Sequence, residues 1–414
     1  NIREPKYWYL VCLLATCRFA DCLPLWKGSL GARSNQRANR RQILSFDAHR
    51  SRRGNHLCSS GARKINHPAG TFDPDNLPRK IYLLNMTSPV VLLSVPGLRP
   101  DDLQHMGNLE AVARKGERTP LVPSFPCVTW PVQSNMVCGS QPKDHGVVAN
   151  GFFWRDTHQV EMWTAWNDKI QQPQVWDILE KRGKRCAVWF PMLSKGCGAQ
   201  NVCMPAPVHN PDGSESLWCY TKPKNFYGEL LEEHGHFPLQ NFWGPQTSIA
   251  SSRWIVDSAI TAAKRFKPDF FYIYLPHLDY AAQRSGPDSE QAKSALVELD
   301  DLLGKLFETM PGVMGKEVVW MVASEYAIVP VNHVSYPNRI LREAGFLEVY
   351  QQEGEWIDFH NSQAWALVDH QFAHVYVKPP ATDKNVEEIA KLFRGSPGIA
   401  EVLVEQEREK YQLH

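Results

Sequence analysis

From residue 86 onward, short apolar runs alternate with segments of helical periodicity. Such runs are typical of strands that are buried on both faces of a sheet. The predicted strands lie near 90–95, 186–190, 270–275 and 318–323, and the predicted helices lie near 101–116, after Thr129, at 249–266 and at 288–309. The alternation predicts an α/β fold with a largely parallel sheet covered by helices on both faces. Residues beyond about 380 are expected to complete the sheet with a small helix and a strand.

Three candidate loops follow predicted strands at one end of this sheet. Pro96 follows the first strand, Asp279 follows the strand that ends at Leu275, and Glu325 follows the strand that ends at Ala323. Ligand sites in parallel α/β sheets form beyond the carboxyl ends of the strands. These loops are therefore expected to meet at one site.

A threonine lies between two prolines in the run Phe125-Pro126-Cys127-Val128-Thr129-Trp130-Pro131. At the start of a helix, unpaired backbone N–H groups favour an anion such as phosphate, so the Thr129 hydroxyl occupies a plausible position for a nucleophile. The alternative is that Thr129 only caps the helix and that Asn150, further along, is only a turn residue.

This run, together with Gly139-Ser140-Gln141-Pro142-Lys143-Asp144-His145-Gly146-Val147-Val148-Ala149-Asn150, resembles the nucleotide pyrophosphatase/phosphodiesterase branch of the alkaline phosphatase superfamily. The hallmark of that family reads F-P-x-x-T-x-P, then G-x-x-P-x-x-H-G-I-x-x-N. The resemblance covers most of residues 88–378 and implies an alkaline phosphatase-like fold. It also implies that Thr129 attacks phosphorus and that Asn150 binds a phosphoryl oxygen.

Members of the resembled family hold two zinc ions with six side chains, and this sequence departs from that set. Pro96 stands where the family has the first Asp, and it offers no side-chain ligand. Asp279 is kept while Gln283 replaces a His. Glu325 replaces an Asp and Tyr326 replaces a His.

His370 best matches the last ligand of the family, with His374 and His277 nearby as spare imidazoles. The resemblance then implies one or two divalent ions at Asp279, Gln283 and His370, with Glu325 beside Thr129. The oxygen-rich set favours manganese or magnesium over zinc. Taken singly, these residues have structural alternatives as a helix cap, loop hydrogen-bonding groups and a buried histidine.

The leading functional hypothesis is metal-assisted hydrolysis of a phosphate diester or pyrophosphate through a phosphothreonine-type intermediate. Glu325 is expected to orient or deprotonate Thr129, directly or through a second ion, and Tyr326 to donate a proton or a hydrogen bond. A rival hypothesis is a protein that binds a phosphorylated ligand without turning it over. Cleavage of sulfate or phosphonate esters ranks last because the cysteine-containing sulfatase signature is absent.

The first 85 residues differ in charge from the rest of the chain. They hold 15 Lys and Arg against 5 Asp and Glu, whereas the remainder holds 30 against 39. Without a sustained apolar period, this segment is predicted to be a disordered basic tail or the product of a misassigned start, with Met86 as the candidate initiator. That start favours the cytoplasm. The apolar run 7–17, if it is a signal sequence, favours secretion or the periplasm.

Residues 86–414 are predicted to form the catalytic domain, with an aromatic-rich and proline-rich cap inserted at about 152–250. The expected partner is a small-molecule phosphate ester. Nucleic acid is not expected as a specific partner, because no aromatic residues interleave the basic runs. No run is long enough for a membrane helix. The cysteines form no Cys-x-x-Cys pair, and the sequence leaves the oligomeric state and the state of Cys197, Cys203 and Cys219 open.

Overall fold

The computed structural model describes residues 9–14, 88–121, 124–212 and 214–413. For residues 9–14 it describes the backbone, which forms a strand within the range predicted as a tail. The other predictions made for residues 1–85, including tail disorder, the start at Met86 and the signal sequence, lie outside the described residues. Within the described part of the chain, no helix has the length and apolar character needed to cross a bilayer.

The strands and helices have the following bounds. In chain order the strands are β1 (Tyr9–Leu14), β2 (Val90–Ser94), β3 (Gly151–Trp154), β4 (Gln159–Met162), β5 (Cys186–Trp189), β6 (Asn201–Pro205), β7 (Val208–His209), β8 (Glu215–Ser216), β9 (Cys219–Lys222), β10 (Phe270–Tyr274), β11 (Val319–Ala323), β12 (Val349–Gln351), β13 (Glu355–Ile357), β14 (Ala364–Asp369), β15 (Phe372–Val377) and β16 (Ile399–Val404). The α-helices are α1 (Gly107–Ala113), α2 (Thr129–Cys138), α3 (Pro142–His145), α4 (Val175–Glu180), α5 (Phe226–His234), α6 (Ile249–Phe266), α7 (His277–Ser285), α8 (Glu290–Met314), α9 (Pro337–Glu343) and α10 (Asp383–Phe393).

The main sheet has the strand order β11-β2-β10-β5-β6-β9. The first five strands of that order run parallel, and β9 pairs antiparallel with β6 at the edge. The parallel strands therefore end on one side, and the loops after β2, β10 and β11 lie together there.

Helices cover both faces of the main sheet. On one face, Val91 and Leu93 of β2 share a core with Ile255 of α6 and with α8. On the other face, Leu92 packs in a core that includes residues of α2 and α4. The two cores follow the alternation of side chains along a strand. The predicted α/β class, with a largely parallel sheet between two helical layers, is confirmed.

The predicted helix at 249–266 coincides with α6, which begins after the capping residue Ser248. The prediction at 101–116 divides into a 3-10 helix at Pro100–His105 and α1. Helix α2 begins at Thr129 and ends at Cys138, and it is followed by the capping residue Gly139, whose φ of 65° suits a residue without a side chain.

A second sheet has the order β14-β15-β1-β16 and is antiparallel at each pairing. Strand β16, which was expected to complete the main sheet, belongs to this second sheet instead, because β1 lies between it and β15. The turn between β14 and β15 carries Asp369 and His370, and His370 has a φ of 50°.

The range predicted as a cap, 152–250, contributes to the main sheet as well as to structure outside it. Strands β5, β6 and β9 are main-sheet strands, whereas the hairpins β3–β4 and β7–β8 form separate two-stranded ribbons. The β3–β4 hairpin begins directly after Asn150.

Candidate active site

Thr129 is the first residue of α2 and is 7% exposed. The residue before it, Val128, is extended, so the chain turns into the helix at the threonine. Thr129 Oγ1 lies 3.3 Å from the hydroxyl oxygen of Tyr326, which follows β11, and either group can donate this hydrogen bond. Burial and the nearby carboxylates of Asp279 and Glu325 raise the pKa of Tyr326 well above its usual value. The phenol therefore keeps its proton at neutral pH.

Asn150 is fully buried beside the same helix end. Its Oδ1 accepts the backbone N–H of Trp130 at 3.0 Å, which satisfies one of the unpaired donors of the first turn of α2. The second sheet holds Asn150 from the other side, because its backbone N–H donates to Asp369 Oδ2 at 2.6 Å and its Nδ2 donates to Asp369 Oδ1 at 3.2 Å. The two residues of the sequence motif, Thr129 and Asn150, are thus brought to one helix terminus.

Asp369 also binds the candidate ligand His370. Asp369 Oδ1 lies 2.6 Å from His370 Nδ1, and the imidazole is 35% exposed. Burial lowers the pKa of His370, but the hydrogen bond and charge of Asp369, with the charge of Asp279, more than offset it, so the net pKa is raised. Sequence reasoning did not select Asp369. The available signal was its position directly before the matched histidine.

Asp279 and Gln283 lie one turn apart on the same face of α7. The loop after β2 packs against this point, since a Cβ placed on Gly97 lies 3.7 Å from the backbone of Asp279. Burial raises the pKa of Asp279, and the nearby polar groups of Gln283 and Tyr326 and the charge of His370 offset only part of that rise. Asp279 therefore lies near the tyrosine that contacts Thr129.

Glu325 is 3% exposed, and its Oε1 accepts two hydrogen bonds. Ser94 Oγ donates at 2.6 Å and Gln133 Nε2 donates at 2.8 Å. Gln133 lies one turn after Thr129 on α2 and also accepts the backbone N–H of Met192 at 2.7 Å. Burial raises the pKa of Glu325 to about 8, with a further contribution from the charge of Asp279 that the two hydrogen bonds oppose. The sequence did not lead us to select Ser94 or Gln133 as site residues. The spacing of four residues between Thr129 and Gln133 nevertheless indicates that the two share one face of the predicted helix.

The three oxygen-bearing candidates for metal binding share one property. Each has a buried oxygen without a hydrogen-bond partner: Asp279 Oδ1, Gln283 Oε1 and Glu325 Oε2. Leaving such atoms unsatisfied costs free energy, and carboxylate and amide oxygens are the ligands of hard divalent cations. Across the described ranges, no group of three or more His, Cys, Asp and Glu side chains is arranged to hold a metal. The chemistry of these oxygen donors suits a hard divalent cation better than a closed zinc site.

The two spare imidazoles have partners outside this set. His277 Nε2 lies 2.8 Å from Glu298 Oε2 on α8, and burial lowers the pKa of His277 despite that carboxylate. His374 Nε2 donates to the carbonyl oxygen of Val148 at 2.9 Å. The second contact fixes the segment that leads into Asn150.

The sequence model of the type I phosphodiesterase / nucleotide pyrophosphatase family matches residues 90–412. That match covers the strands of the main sheet, helix α2 and the candidate site residues from Thr129 to His374. The chain belongs to this family.

Curated relatives are similar over part of their length. An uncharacterised pyrophosphatase/phosphodiesterase of Schizosaccharomyces pombe is 24% identical over 250 residues, which is 59% of this chain and 46% of that protein. The ectonucleotide pyrophosphatase/phosphodiesterase family member 3 of Mus musculus is 24% identical over 229 residues, or 53% of this chain and 22% of that protein. The chain thus spans less than half the length of these two curated relatives.

Two solved structures are also similar. Phosphonoacetate hydrolase from Sinorhizobium meliloti has a TM-score of 0.49 and 17% identity, covering 77% of this chain and 80% of that one. Murine ectonucleotide pyrophosphatase / phosphodiesterase 5 has a TM-score of 0.48 and 15% identity, covering 75% and 70%.

Proposed function

We propose that this chain is a metal-dependent hydrolase of phosphate diesters or pyrophosphates with Thr129 as its nucleophile. Family membership supports the class of hydrolase. The observation that carries the finer proposal is the arrangement at the N-terminus of α2, where the hydroxyl of Thr129, the amide of Asn150 and the phenol of Tyr326 meet.

In the proposed reaction, Thr129 Oγ1 forms a bond to phosphorus as the bond from phosphorus to the leaving oxygen breaks, and the hydroxyl proton is released to solvent. Water then cleaves the phosphothreonine ester and regenerates the hydroxyl. Asn150 has a second Nδ2–H beyond the one given to Asp369, and this donor is assigned to a phosphoryl oxygen.

In this proposal the hydroxyl hydrogen of Thr129 points toward the hydroxyl oxygen of Tyr326. Either hydroxyl can donate in the contact between Thr129 and Tyr326, and in this proposal Thr129 donates and Tyr326 accepts. This orientation leaves a lone pair of Thr129 Oγ1 for the attack. Glu325 holds α2 through Gln133, which gives it a role in orienting the nucleophile.

The proposed metal residues are Asp279, Gln283 and Glu325, whose unpaired oxygens support the assignment, with His370 beside them. When bound, a divalent cation supplies charge that stabilises the leaving oxygen and the alkoxide of the nucleophile. The protein groups hold that charge in a buried site, where electrostatic interactions are strong.

The direct test is hydrolysis of bis(4-nitrophenyl) phosphate with added Mg²⁺, Mn²⁺ or Zn²⁺. Thr129→Ala is expected to lower kcat by more than about 100-fold with an unchanged thermal unfolding curve, and Thr129→Ser, which keeps a hydroxyl, to retain measurable turnover. Equal turnover by Thr129→Ala and the wild type contradicts the nucleophile assignment.

A second candidate function is binding of a phosphorylated ligand without turnover. It is favoured by the absence, among the residues that the structure describes, of a three-ligand cluster of His, Cys, Asp and Glu. Saturable binding of a phosphate ester by calorimetry, without hydrolysis at any of the three metals, selects this alternative.

A further inference from the structure

The edge of the main sheet opposite the candidate site carries a concentration of positive charge. Strands β5 and β10 pair in parallel, so the segments that lead into them, 181–185 and 264–269, lie side by side. The backbone N–H of Asp269 donates to the carbonyl oxygen of Arg185 at 2.8 Å, and the N–H of Arg185 donates to Asp269 Oδ2 at 2.9 Å. The two segments are thus joined at the amino ends of the parallel strands, whereas the candidate site lies beyond the carboxyl ends.

A third basic segment reaches the same edge from β9. Strand β9 runs antiparallel to β6, and Lys222 lies opposite Val202 near the start of β6. Lys222 and Lys224 therefore also lie at the amino ends of the parallel strands. Strands β10, β5, β6 and β9 are neighbours in the sheet, so at about 4.8 Å per spacing the three segments form a row about 15 Å long. We call residues 181–185, 222–224 and 264–269 the basic edge.

The basic edge differs in charge from the rest of the chain. Its three segments hold nine Lys and Arg and one acidic residue, Asp269. The other residues from 86 onward hold 21 Lys and Arg against 38 Asp and Glu. Eight of the nine basic residues are exposed, and the side chain of the ninth, Lys184, is 43% exposed. Positive charge is therefore concentrated on one accessible strip, while the remainder is acidic.

Few of these charges are neutralised within the protein. Lys184 Nζ lies 3.5 Å from Asp269 Oδ1, and Arg265 Nε lies 3.7 Å from Glu229 Oε2 on α5. The other seven basic side chains form no ion pair with an acidic side chain in the part of the chain that the structure describes. The basic edge therefore keeps most of its charge for an external partner.

Part of this charge has a structural explanation, but part does not. Helix α4 ends just before Lys181 and α6 ends just after Arg265, and cations near a helix C-terminus are stabilised by the helix dipole. Arg185 leads into a strand, so the dipole gives no reason for its charge. Lys222 ends a strand, and Lys224 lies just before the N-terminus of α5, where the dipole disfavours a cation. An external anion accounts for all of these residues together.

The construction of the basic edge favours a membrane surface over nucleic acid. Proteins that bind single strands stack bases on exposed aromatic rings among the basic residues. Phe266, the aromatic residue of the basic edge, packs instead on Phe226 with ring centroids 4.7 Å apart. Proteins that read a duplex place a helix or a β-ribbon in a groove, whereas the basic edge is built from helix ends and connecting loops. Clusters of four to eight Lys and Arg attract anionic lipids.

We propose that the basic edge is a docking surface for a membrane that contains anionic phospholipids. The attraction is electrostatic, because lysine and arginine side chains meet lipid phosphate and carboxylate groups at the bilayer surface. Docking through this edge leaves the opposite edge of the sheet, with Thr129, facing water. The inference goes beyond the proposed function and does not depend on which residue is the nucleophile.

The test is sedimentation of the full chain with sucrose-loaded vesicles. We expect the wild type to bind phosphatidylcholine vesicles that contain about 30% phosphatidylserine in about 0.1 M NaCl, and to be released at about 0.5 M NaCl. We expect no binding to vesicles of phosphatidylcholine alone. Because the first 85 residues are also basic, substitutions are needed to locate the contact.

The decisive variant neutralises four unpaired charges, with at least one from each segment. It carries Arg182→Gln, Lys222→Gln, Lys224→Gln and Lys264→Gln. A control variant makes the same change in charge at exposed positions of other elements, namely Arg253→Gln, Lys378→Gln, Lys384→Gln and Lys391→Gln. We expect the edge variant to weaken the partition coefficient at least about tenfold and the control variant to change it less than about twofold. Thermal unfolding checks that both variants are folded.

The outcomes that overturn the proposal are specific. Equal partition of the edge and control variants does so, and so does a wild type that does not bind the anionic vesicles. If the edge variant does not fold, Lys222→Gln combined with Lys224→Gln replaces it, with an expected loss of at least about threefold. Fluorescence anisotropy with a labelled DNA duplex and a single-stranded RNA tests the rival partner. Binding to either one that the edge variant loses, without vesicle binding by the wild type, assigns the basic edge to nucleic acid instead.

Discussion

The hydroxyl oxygens of Thr129 and Tyr326 lie 3.3 Å apart, although 197 positions separate the two residues in the chain. Helix α2 supplies one and the loop after β11 supplies the other. Asp279, which follows β10 on α7, lies near enough for its charge to raise the pKa of the same phenol. The proposed nucleophile thus contacts a phenol that lies near a carboxylate.

Replacing Tyr326 by Phe keeps the ring and removes the contact to Thr129. We expect kcat for bis(4-nitrophenyl) phosphate to fall by about 10- to 100-fold with little change in KM, because the lost hydrogen bond orients the attacking oxygen rather than the substrate. Tyr350→Phe, at an exposed position of β12, is the matched control. Steady-state kinetics that show equal kcat for the two variants contradict the role given to Tyr326.

Replacing Asp369 by Asn removes a buried acceptor shared by Asn150 and His370. One donor must lose its partner, so the free energy of unfolding is expected to fall by about 2–4 kcal/mol in urea titrations. The pKa of His370, measured by NMR, is expected to fall as well, because Asp369 contributes more than Asp279 to raising it. Asp301→Asn, on the exposed side of α8, serves as the control for loss of a carboxylate. An unchanged His370 pKa in the Asp369 variant excludes this account of the pair.

The Glu325 carboxyl gives the metal-free protein a specific pH dependence. Its pKa rises from 4.5 to about 8 on folding, so the folded state binds the proton more tightly. The resulting stability is complete below about pH 4.5 and is lost as the pH rises through about 8.

Glu325→Gln cannot ionise but keeps an acceptor for Ser94 and Gln133. Between pH 5 and 9 in EDTA, we expect the wild type to lose stability relative to this variant by an amount on the order of a few kcal/mol. Thermal unfolding measured across this range provides the check. Parallel profiles for the two proteins show that Glu325 is not a buried acid with a raised pKa.

Replacing Gln283 by His changes the donor set at the proposed metal site from oxygen to nitrogen. We expect the wild type to bind Mn²⁺ with an affinity close to that for Zn²⁺, and Gln283→His to shift the preference toward Zn²⁺ by about tenfold or more, since imidazole is the better zinc ligand. Gln291→His, on the exposed side of α8, controls for adventitious binding by a surface histidine. Calorimetry that gives the same preference for both variants removes Gln283 from the metal site.

Much of the fold follows from local sequence patterns, and part of the site does as well. The apolar runs predicted the strands that became β2, β5, β10 and β11, and the periodicity at 249–266 predicted α6. Those signals are short-range, because the apolar pattern of a buried strand or an amphipathic helix is visible within a short stretch of consecutive residues. The loops after β2, β10 and β11 were expected to meet, and the structure brings Tyr326, Asp279 and Gly97 together there.

The residues that the sequence did not reveal act through distant partners. Ser94 and Gln133 have no distinguishing feature in the sequence. Each gains its role by donating a hydrogen bond to Glu325, which lies 231 positions from Ser94 and 192 from Gln133. Asp369 likewise gains its role by contact with Asn150, 219 positions earlier. Trp163 has a φ of 58°, which no local preference of tryptophan predicts. Long-range contacts of this kind are set by the packed fold and not by neighbouring residues.

The central claim is that Thr129 forms a covalent bond to phosphorus. The most direct measurement is mass spectrometry of the protein after acid quenching during turnover of bis(4-nitrophenyl) phosphate, followed by peptide mapping. We predict a phosphoryl ester on the peptide that contains Thr129 in the wild type, and none in Thr129→Ala. An ester on a different residue, or turnover by Thr129→Ala at the wild-type rate, contradicts the account.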